Sequence, residues 1–241
     1  MNSKRQKDKI IVALDVPTAE EARRHIKELR GEVGAFKIGL QLITSEGVSF
    51  IREVVEDGIK LFLDTKFHDI PATVAKASVE TARLGVWMFN IHASGGSEML
   101  HQTVEAVNEV CEKENLVKPK IIGVTVLTSS NQKTLNEVGV GKDINKQVLE
   151  LTKLSAGNSL DGVVSSPKET ALIRENIPDK NFTIVTPGIR PSFSALHDQK
   201  RVMTPKEAVE NGTDYMVIGR PILQSPNPVE AVKKIVGEIT F

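Results

Sequence analysis

Several features that define whole protein classes are missing from this 241-residue sequence. It has one cysteine, Cys111, which excludes an intrachain disulfide framework and favours a reducing compartment. The first nine residues, MNSKRQKDK, lack the apolar core of a signal peptide, and no run approaches the roughly 18 apolar residues of a transmembrane helix. We therefore expect a cytoplasmic protein with no membrane partner, and we expect residues 1–9 to be frayed.

Net charge of either sign is also missing, because 31 basic residues balance 31 acidic residues. Without a basic surplus or a basic tail, nothing indicates nucleic acid as a partner. The five histidines and the single cysteine do not have the spacing of a zinc site, and no glycine-rich Rossmann or Walker fingerprint occurs. These patterns predict no metal site and no dinucleotide-binding motif.

What the sequence does contain is a series of short apolar segments rich in valine and isoleucine, with helical patterns between them. Such segments are typical of parallel strands that are buried on both faces. The predicted strands are residues 10–14, 35–40, 59–63, 86–91, 121–127, 162–164, 182–185 and 215–218. Capping-box patterns at residues 18–21 and 204–207 predict helix starts, and Pro71 should open a helix that stops at Gly85.

Eight such strands alternate with about eight helical segments, and no linker-like stretch separates them. This alternation predicts an α/β fold, a single (β/α)8 TIM barrel that spans residues 1–241 as one domain. A doubly wound open sheet is the alternative, and the count of eight strands favours the barrel. In a barrel, the long non-periodic stretches at about residues 129–141 and 188–203 follow strands, so they lie on the active-site face.

Ionisable residues cluster where the third predicted strand ends, in the stretch LFLDTKFHDIP. Asp64 and Lys66 are two apart, so they point the same way, and Asp69 is in the following turn. A solvated ion pair is one interpretation, but ionisable clusters at this end of a barrel strand favour an active site. With Asp15 at the tip of strand 1 and Lys37 inside strand 2, we predict an alternating network that keeps each lysine protonated.

Two strand ends carry the cations of a predicted phosphate site. Strand 8 ends MVIGRPI, where Gly219 lets a ligand approach the backbone and Arg220 can bind a phosphate through its forked guanidinium. Strand 7 ends TPGIRP, which supplies Arg190 as a second cation. The loops after strands 7 and 8 are the usual phosphate site of barrels, and the loop that contains Gln199 can close over it. We therefore expect a phosphorylated ligand.

A set of longer motifs runs through almost the whole chain in a fixed order: ALD, FKIG, FLDTKFHDIPATV, NIHASGG, VTVLTS, DGVVSS, VTPGIRP and VIGRPI. This pattern resembles the orotidine 5′-phosphate decarboxylase family. The short D-x-K-x-x-D core is shared with related barrel enzymes, whereas the D-x-K-x-H-D-I-P-x-T string with TPGIR and GRPI is far more specific. The resemblance implies decarboxylation of orotidine 5′-monophosphate to UMP and carbon dioxide, without a cofactor or a metal ion.

The resemblance also implies roles for individual residues. Lys66 matches the proton donor at the carbon that loses its carboxyl group, and Asp64 matches the carboxylate beside the substrate carboxylate. Asp69 and Thr73 match residues that the neighbouring subunit contributes, which implies a homodimer with shared sites. The implied catalytic set is Lys66, Asp64, Asp69 and Lys37. The implied substrate-binding set is Asp15 and Lys37 at the ribose, Ile70, Thr73, Thr128 at the pyrimidine, Pro187, and Arg190, Gln199, Gly219 and Arg220 at the phosphate.

The departures from the family pattern are few. Thr65 stands where leucine is frequent, and because a strand neighbour of Asp64 and Lys66 points the other way, we expect little effect. Ala72 replaces a common asparagine, which weakens one expected polar contact. Ser165 replaces a frequent cysteine and is expected to be a packing exchange.

Two other functions fit parts of the same pattern. The first is a Mg²⁺-dependent phosphosugar barrel with the D-x-K-x-x-D core, such as a keto-gulonate phosphate decarboxylase or a hexulose phosphate synthase. The second is a non-catalytic protein that binds a phosphorylated ligand on a barrel scaffold. Metal dependence distinguishes the first from a cofactor-free decarboxylase, and the absence of turnover distinguishes the second.

Overall fold

The computed structural model describes residues 6–194 and 203–240. Within these residues, eight parallel strands form one closed barrel in which each strand pairs with its neighbours in sequence and β8 closes against β1. The strands are β1 (Ile10–Ala13), β2 (Ala35–Gly39), β3 (Leu61–Phe67), β4 (Met88–His92), β5 (Lys120–Val124), β6 (Gly162–Val164), β7 (Thr183–Pro187) and β8 (Tyr215–Ile218). The predicted (β/α)8 barrel is confirmed, and the open sheet was the wrong alternative.

Helices connect the strands and cover the outside of the barrel. They are α1 (Ala19–Leu29), α2 (Leu40–Glu56), α3 (Pro71–Arg83), α4 (Gly96–Lys113), α5 (Gln132–Glu137), α6 (Ile144–Gly157), α7 (Thr170–Asn176), α8 (Pro205–Glu210), α9 (Arg220–Leu223) and α10 (Pro228–Glu238), with a 3₁₀ turn at Ala93–Gly95. The side chain of Thr18 caps α1, and Thr204 forms a full capping box with Glu207 at α8. None of the helices in the described ranges is long and apolar enough to cross a membrane.

The strands alternate between two faces, which separates the core into two layers. Ile10 and Val12 of β1 belong to the large hydrophobic cluster between the barrel and its helices. Ile11 lies between them and belongs to a smaller cluster inside the barrel, together with Phe62 and Met88. Apolar side chains therefore fill the barrel interior toward the N-terminal ends of the strands. The inward positions nearer the C-terminal ends of the strands are available for polar groups.

The segment at residues 6–9 differs from the expectation of a frayed N-terminus. Gln6 is buried, and its carbonyl oxygen accepts a hydrogen bond from the N–H of Lys9 at 3.1 Å. The carbonyl oxygen of Lys9 accepts another from the N–H of Met216 at 2.8 Å, so the segment continues the pairing of β1 with β8. These polar residues are held by main-chain bonds, which their composition does not reveal. Residues 1–5 lie outside the described part of the chain.

Candidate active site

A cavity of about 530 Å³ lies at the C-terminal ends of the barrel strands. Alternate residues of β1, β2, β3 and β8 point into the barrel. Those nearer the N-terminal ends of the strands are apolar and form the interior cluster, and those at the C-terminal ends line the cavity. The predicted site residues that line the cavity are Asp15, Lys37, Asp64, Lys66, Thr128, Pro187, Arg190, Gly219 and Arg220. The structure thus brings together residues from six different strand ends or loops.

Four of these residues form an alternating chain of charges, here called the charge network: Asp15, Lys37, Asp64 and Lys66. The Nζ atom of Lys66 donates to Oδ1 of Asp64 at 2.6 Å. The Nζ atom of Lys37 lies 3.2 Å from Oδ2 of Asp64 and 3.2 Å from Oδ1 of Asp15. Lys37 and Asp64 are 7 % and 8 % exposed, whereas Asp15 is exposed. The network therefore runs from the protein interior to the mouth of the cavity.

Pairing overrides burial in setting the charge of the two inner members. Burial alone would lower the pKa of Lys37, but the carboxylates of Asp64 and Asp15 raise this pKa above its ordinary value. Burial alone would raise the pKa of Asp64, but the two lysines, with hydrogen bonds from Lys66 and Asn90, lower it. Both groups are therefore charged at neutral pH. Each would be costly to bury without its partners.

Strand β3 carries a bulge at Lys66, the last member of the charge network. Its register against β4 shifts between Leu63 and Phe67, and Lys66 has a φ of +49°, in the left-handed region. That conformation costs a non-glycine residue roughly 1–2 kcal/mol. The Oδ1 atom of Asn90 accepts from the N–H of Lys66 at 2.7 Å, and this bond holds the strained backbone of Lys66. The carbonyl oxygen of Asn90 accepts a separate bond from Oγ1 of the neighbouring Thr65 at 2.7 Å. Strand pairing therefore extends beyond the predicted end at residue 63.

Asn90 itself is a residue that the sequence reasoning missed. It is buried and lines the cavity, and its Nδ2 donates to Oδ1 of Asp64 at 2.7 Å. A signal was present in the motif NIHASGG, because Asn90 is a polar residue between the buried Phe89 and Ile91. Two positions after the inward-facing Met88, it had to point into the barrel toward the strand ends.

The opposite side of the site carries the predicted phosphate residues. Arg190 is buried at the edge of the cavity. Its main-chain N–H donates to the carbonyl oxygen of Met203 at 2.9 Å. Its Nη1 donates to the carbonyl oxygen of Ile189 at 3.1 Å. Arg220 is half-buried at the start of α9, directly after β8. Gln199, which was predicted to close over the phosphate, lies outside the described residues.

Three predicted site residues do not join the cavity of their own chain. Asp69 and Ile70 lie in the turn after β3, and Thr73 lies in the first turn of α3. All three are exposed, Ile70 at 67 %, and none lines the cavity. Oδ1 of Asp69 accepts from the N–H of Ile70 at 2.7 Å, which fixes the shape of the turn. This segment faces outward from the chain that carries it.

Apolar side chains make up much of the remaining wall of the cavity. They are Ala13, Phe62, Val124, Val126, Leu127, Val164 and Val217. Such a lining lowers the local dielectric constant, which strengthens the electrostatic interactions of the charge network. Among residues 6–194 and 203–240, no three side chains of histidine, cysteine, aspartate or glutamate are grouped so that they could hold a metal ion.

Curated proteins and solved structures match this chain over nearly its whole length. Orotidine 5′-phosphate decarboxylase of Syntrophotalea carbinolica is 49 % identical over 231 residues, which cover 96 % of this chain and 94 % of that protein. The enzyme of that name from Geobacter sulfurreducens is 48 % identical over 240 residues, 99 % of both chains. The crystal structure of orotidine 5′-phosphate decarboxylase from Lactobacillus acidophilus matches with a TM-score of 0.84 and 35 % identity, covering 96 % of this chain and 99 % of that one.

The family model described as orotidine 5′-phosphate decarboxylase / HUMPS matches residues 8–235, which include every strand of the barrel and all four members of the charge network. The chain belongs to the orotidine 5′-phosphate decarboxylase / HUMPS family.

Proposed function

We propose that this protein decarboxylates orotidine 5′-monophosphate to UMP and carbon dioxide, the last step of UMP synthesis, without a cofactor. The observation that carries this proposal is the charge network, which places the Lys66 ammonium against Asp64 inside a largely apolar cavity. The names of the relatives, which match over nearly the whole chain, support the choice of substrate. The arginines at the other side of the cavity support a phosphorylated ligand.

The reaction breaks the bond between a ring carbon and its carboxylate. The electron pair of that bond stays on the ring carbon, in the plane of the ring, where no carbonyl group or cofactor delocalises it. The Lys66 ammonium stabilises this developing charge and then donates a proton to the same carbon, which gives UMP as carbon dioxide leaves. Because the ammonium is in place before the reaction begins, little reorganisation is needed at the transition state.

Asp64 has two effects in this scheme. Its carboxylate fixes the Lys66 ammonium at 2.6 Å, and its negative charge repels the substrate carboxylate. That repulsion fades as the carboxylate becomes neutral carbon dioxide, so it favours the transition state over the bound substrate. Lys37 neutralises the other oxygen of Asp64 and keeps the buried carboxylate ionised.

The phosphate end contributes through binding rather than chemistry. Arg190 and Arg220 bind the phosphate, Gln199 adds its side-chain amide, and Gly219 and Pro187 form the adjoining wall. Thr128 contacts the pyrimidine, and Asp15 contacts the ribose. Binding energy at a phosphate far from the reacting carbon orients the ring against Lys66.

The working unit in this proposal is a homodimer with shared sites. Asp69, Ile70 and Thr73 are exposed and lie outside the cavity of their own chain, which supports their delivery to the site of a second copy. Asp69 would then add a carboxylate to the partner's charge network, and Thr73 would contact the partner's substrate. Ile70 would form part of the apolar wall.

The proposal is tested by the ultraviolet absorbance of orotidine 5′-monophosphate mixed with purified protein that has been treated with EDTA. A decrease in the orotate band, with UMP identified as the product, supports a metal-independent decarboxylase. An unchanged spectrum with folded protein means that the proposed substrate is wrong. Activity that EDTA abolishes and Mg²⁺ restores favours a Mg²⁺-dependent enzyme, as in the phosphosugar barrels that share the D-x-K-x-x-D core.

A further inference from the structure

The proton donor of the proposed reaction lies on a distorted piece of strand, and the neighbouring strand holds it there. We propose that Asn90 is a positioning residue, whose side-chain amide fixes Lys66 and Asp64 in their working arrangement. The catalytic meaning of this inference rests on the proposed function. The arrangement itself can be tested without turnover.

The amide of Asn90 contacts both residues at once. Its Oδ1 accepts the main-chain N–H of Lys66 at 2.7 Å, and its Nδ2 donates to Oδ1 of Asp64 at 2.7 Å. The same Oδ1 of Asp64 accepts from the Lys66 ammonium at 2.6 Å. A main-chain N–H can only donate and an ionised carboxylate can only accept, so the orientation of the amide is fixed. One buried side chain thus ties the backbone of the lysine to the carboxylate that binds its ammonium.

The backbone of Lys66 is in an unfavourable conformation that requires a stabilising hydrogen bond. Its φ of +49° is unfavourable for a lysine, and the shifted register of β3 takes its N–H away from regular pairing with β4. Without an acceptor at position 90, this half-buried N–H would have to find another partner or the segment would return to an ordinary strand conformation. Either change would turn the Lys66 side chain relative to Asp64.

Thr65 provides a matched control at the same bulge. Its Oγ1 donates to the main-chain carbonyl oxygen of Asn90 at 2.7 Å, so it contacts the same residue without using the amide. Thr65→Val removes this bond and keeps the shape of the side chain. It leaves both amide bonds of Asn90 in place. A general loosening of the bulge should therefore affect Thr65→Val and the Asn90 variants alike, whereas loss of the amide should affect only the latter.

The experiment compares Asn90→Ala, Asn90→Asp and Thr65→Val with the wild-type protein. Asn90→Asp keeps an acceptor for Lys66 but replaces the donor to Asp64 with a second carboxylate. We expect both Asn90 variants to lower kcat by about 100-fold, the scale of a small misplacement of a reacting group. The Kd for UMP should stay within about threefold, because phosphate and ribose contacts remain, and Thr65→Val should keep kcat within about threefold. A crystal structure of Asn90→Ala should show Lys66 displaced from Asp64.

Each contrary result has a separate meaning. A kcat of Asn90→Ala within about threefold of wild type, or an equal loss in Thr65→Val, overturns the positioning role. A loss of UMP affinity that matches the loss of kcat also overturns it, because Asn90 would then be a binding residue. An unmoved Lys66 in the Asn90→Ala crystal structure does the same, whatever the activity. Wild-type protein that does not convert orotidine 5′-monophosphate overturns the proposed function instead, and the catalytic meaning of Asn90 with it.

Discussion

The ammonium of Lys66 lies 2.6 Å from Oδ1 of Asp64, while the other oxygen of the same carboxylate faces Lys37 at 3.2 Å. One buried carboxylate therefore holds two lysines from two neighbouring strands. The pKa of Asp64 is lowered and that of Lys37 is raised, so these charges are in place before a substrate arrives. Folding, rather than the reaction, arranges the charges that the proposed decarboxylation uses.

Lys66→Ala tests the proton donor directly. The variant should lose at least about 100-fold to 1000-fold in kcat, because it removes a preorganised group at the reacting carbon. Lys153→Ala, which alters an exposed lysine on α6, is the control and should keep wild-type turnover. Steady-state assays with orotidine 5′-monophosphate measure both. A loss of less than about tenfold in Lys66→Ala would remove Lys66 from its assigned role.

Arg220→Ala tests the phosphate end. A hydrogen-bonded charge pair contributes about 1.5–3 kcal/mol, so the Kd for UMP should rise by roughly 10-fold to 100-fold. Uridine lacks the phosphate, and its weaker affinity should be the same for the variant and the wild type. Calorimetric titration of both ligands measures the difference. Equal weakening for UMP and uridine would place the contact of Arg220 elsewhere on the ligand.

The shared site is tested by mixing two inactive variants. A dimer of one Lys66→Ala chain and one Asp69→Ala chain contains one site with both native residues, provided that Asp69 acts across the interface. Mixed and refolded protein should therefore recover part of the wild-type activity that neither variant has alone. If Asp69 acts within its own chain, every site in the mixed dimer is defective, and the mixture stays inactive.

The fold was predictable because each strand is short, apolar and separated from the next by a helix. Residues 162–164 and 215–218 were predicted with the bounds that β6 and β8 have in the structure. The end of the third strand was predicted wrongly, because the predicted strand stopped at residue 63, just before the charged residues begin. Its pairing with β4 resumes at Phe67 after the bulge, and within the bulge the side chain of Asn90 accepts the main-chain N–H of Lys66.

The site residues that could be predicted are the charged residues within apolar segments. Lys37 inside a buried strand and Asp64 at a strand end could be identified because buried charges require partners. Asn90 was missed because a neutral amide in an apolar segment indicates a functional site less strongly than a charged residue does. Its role also depends on the backbone conformation of Lys66, which the sequence does not predict. Thr65 was expected to have little effect, and only the structure shows its bond to the carbonyl oxygen of Asn90.

The lowered pKa of Asp64 predicts how stability depends on pH. A carboxyl group whose folded pKa lies below its unfolded value contributes stability above the unfolded value, about 3.9, and loses it as the pH falls through the folded value. Asp64→Asn leaves Lys37 buried without this partner, so at pH 7 it should lower the free energy of unfolding by roughly 3 kcal/mol or more. On acidification, the unfolded wild-type chain begins to bind this proton near its pKa of about 3.9, so the difference between the two proteins should start to shrink there. It should continue to shrink as the pH falls through the lower pKa of the folded state.

Denaturant unfolding of both proteins between about pH 3 and pH 7 measures this difference. Asp57→Asn, at an exposed carboxylate that follows α2, shows the effect of removing one negative charge from the surface. Parallel curves for wild type and Asp64→Asn across the whole range would mean that the Asp64 carboxylate does not stabilise the fold. A difference that shrinks only in acid would mean that the charge network contributes to the barrel's stability in the same ionisation state that the proposed reaction requires.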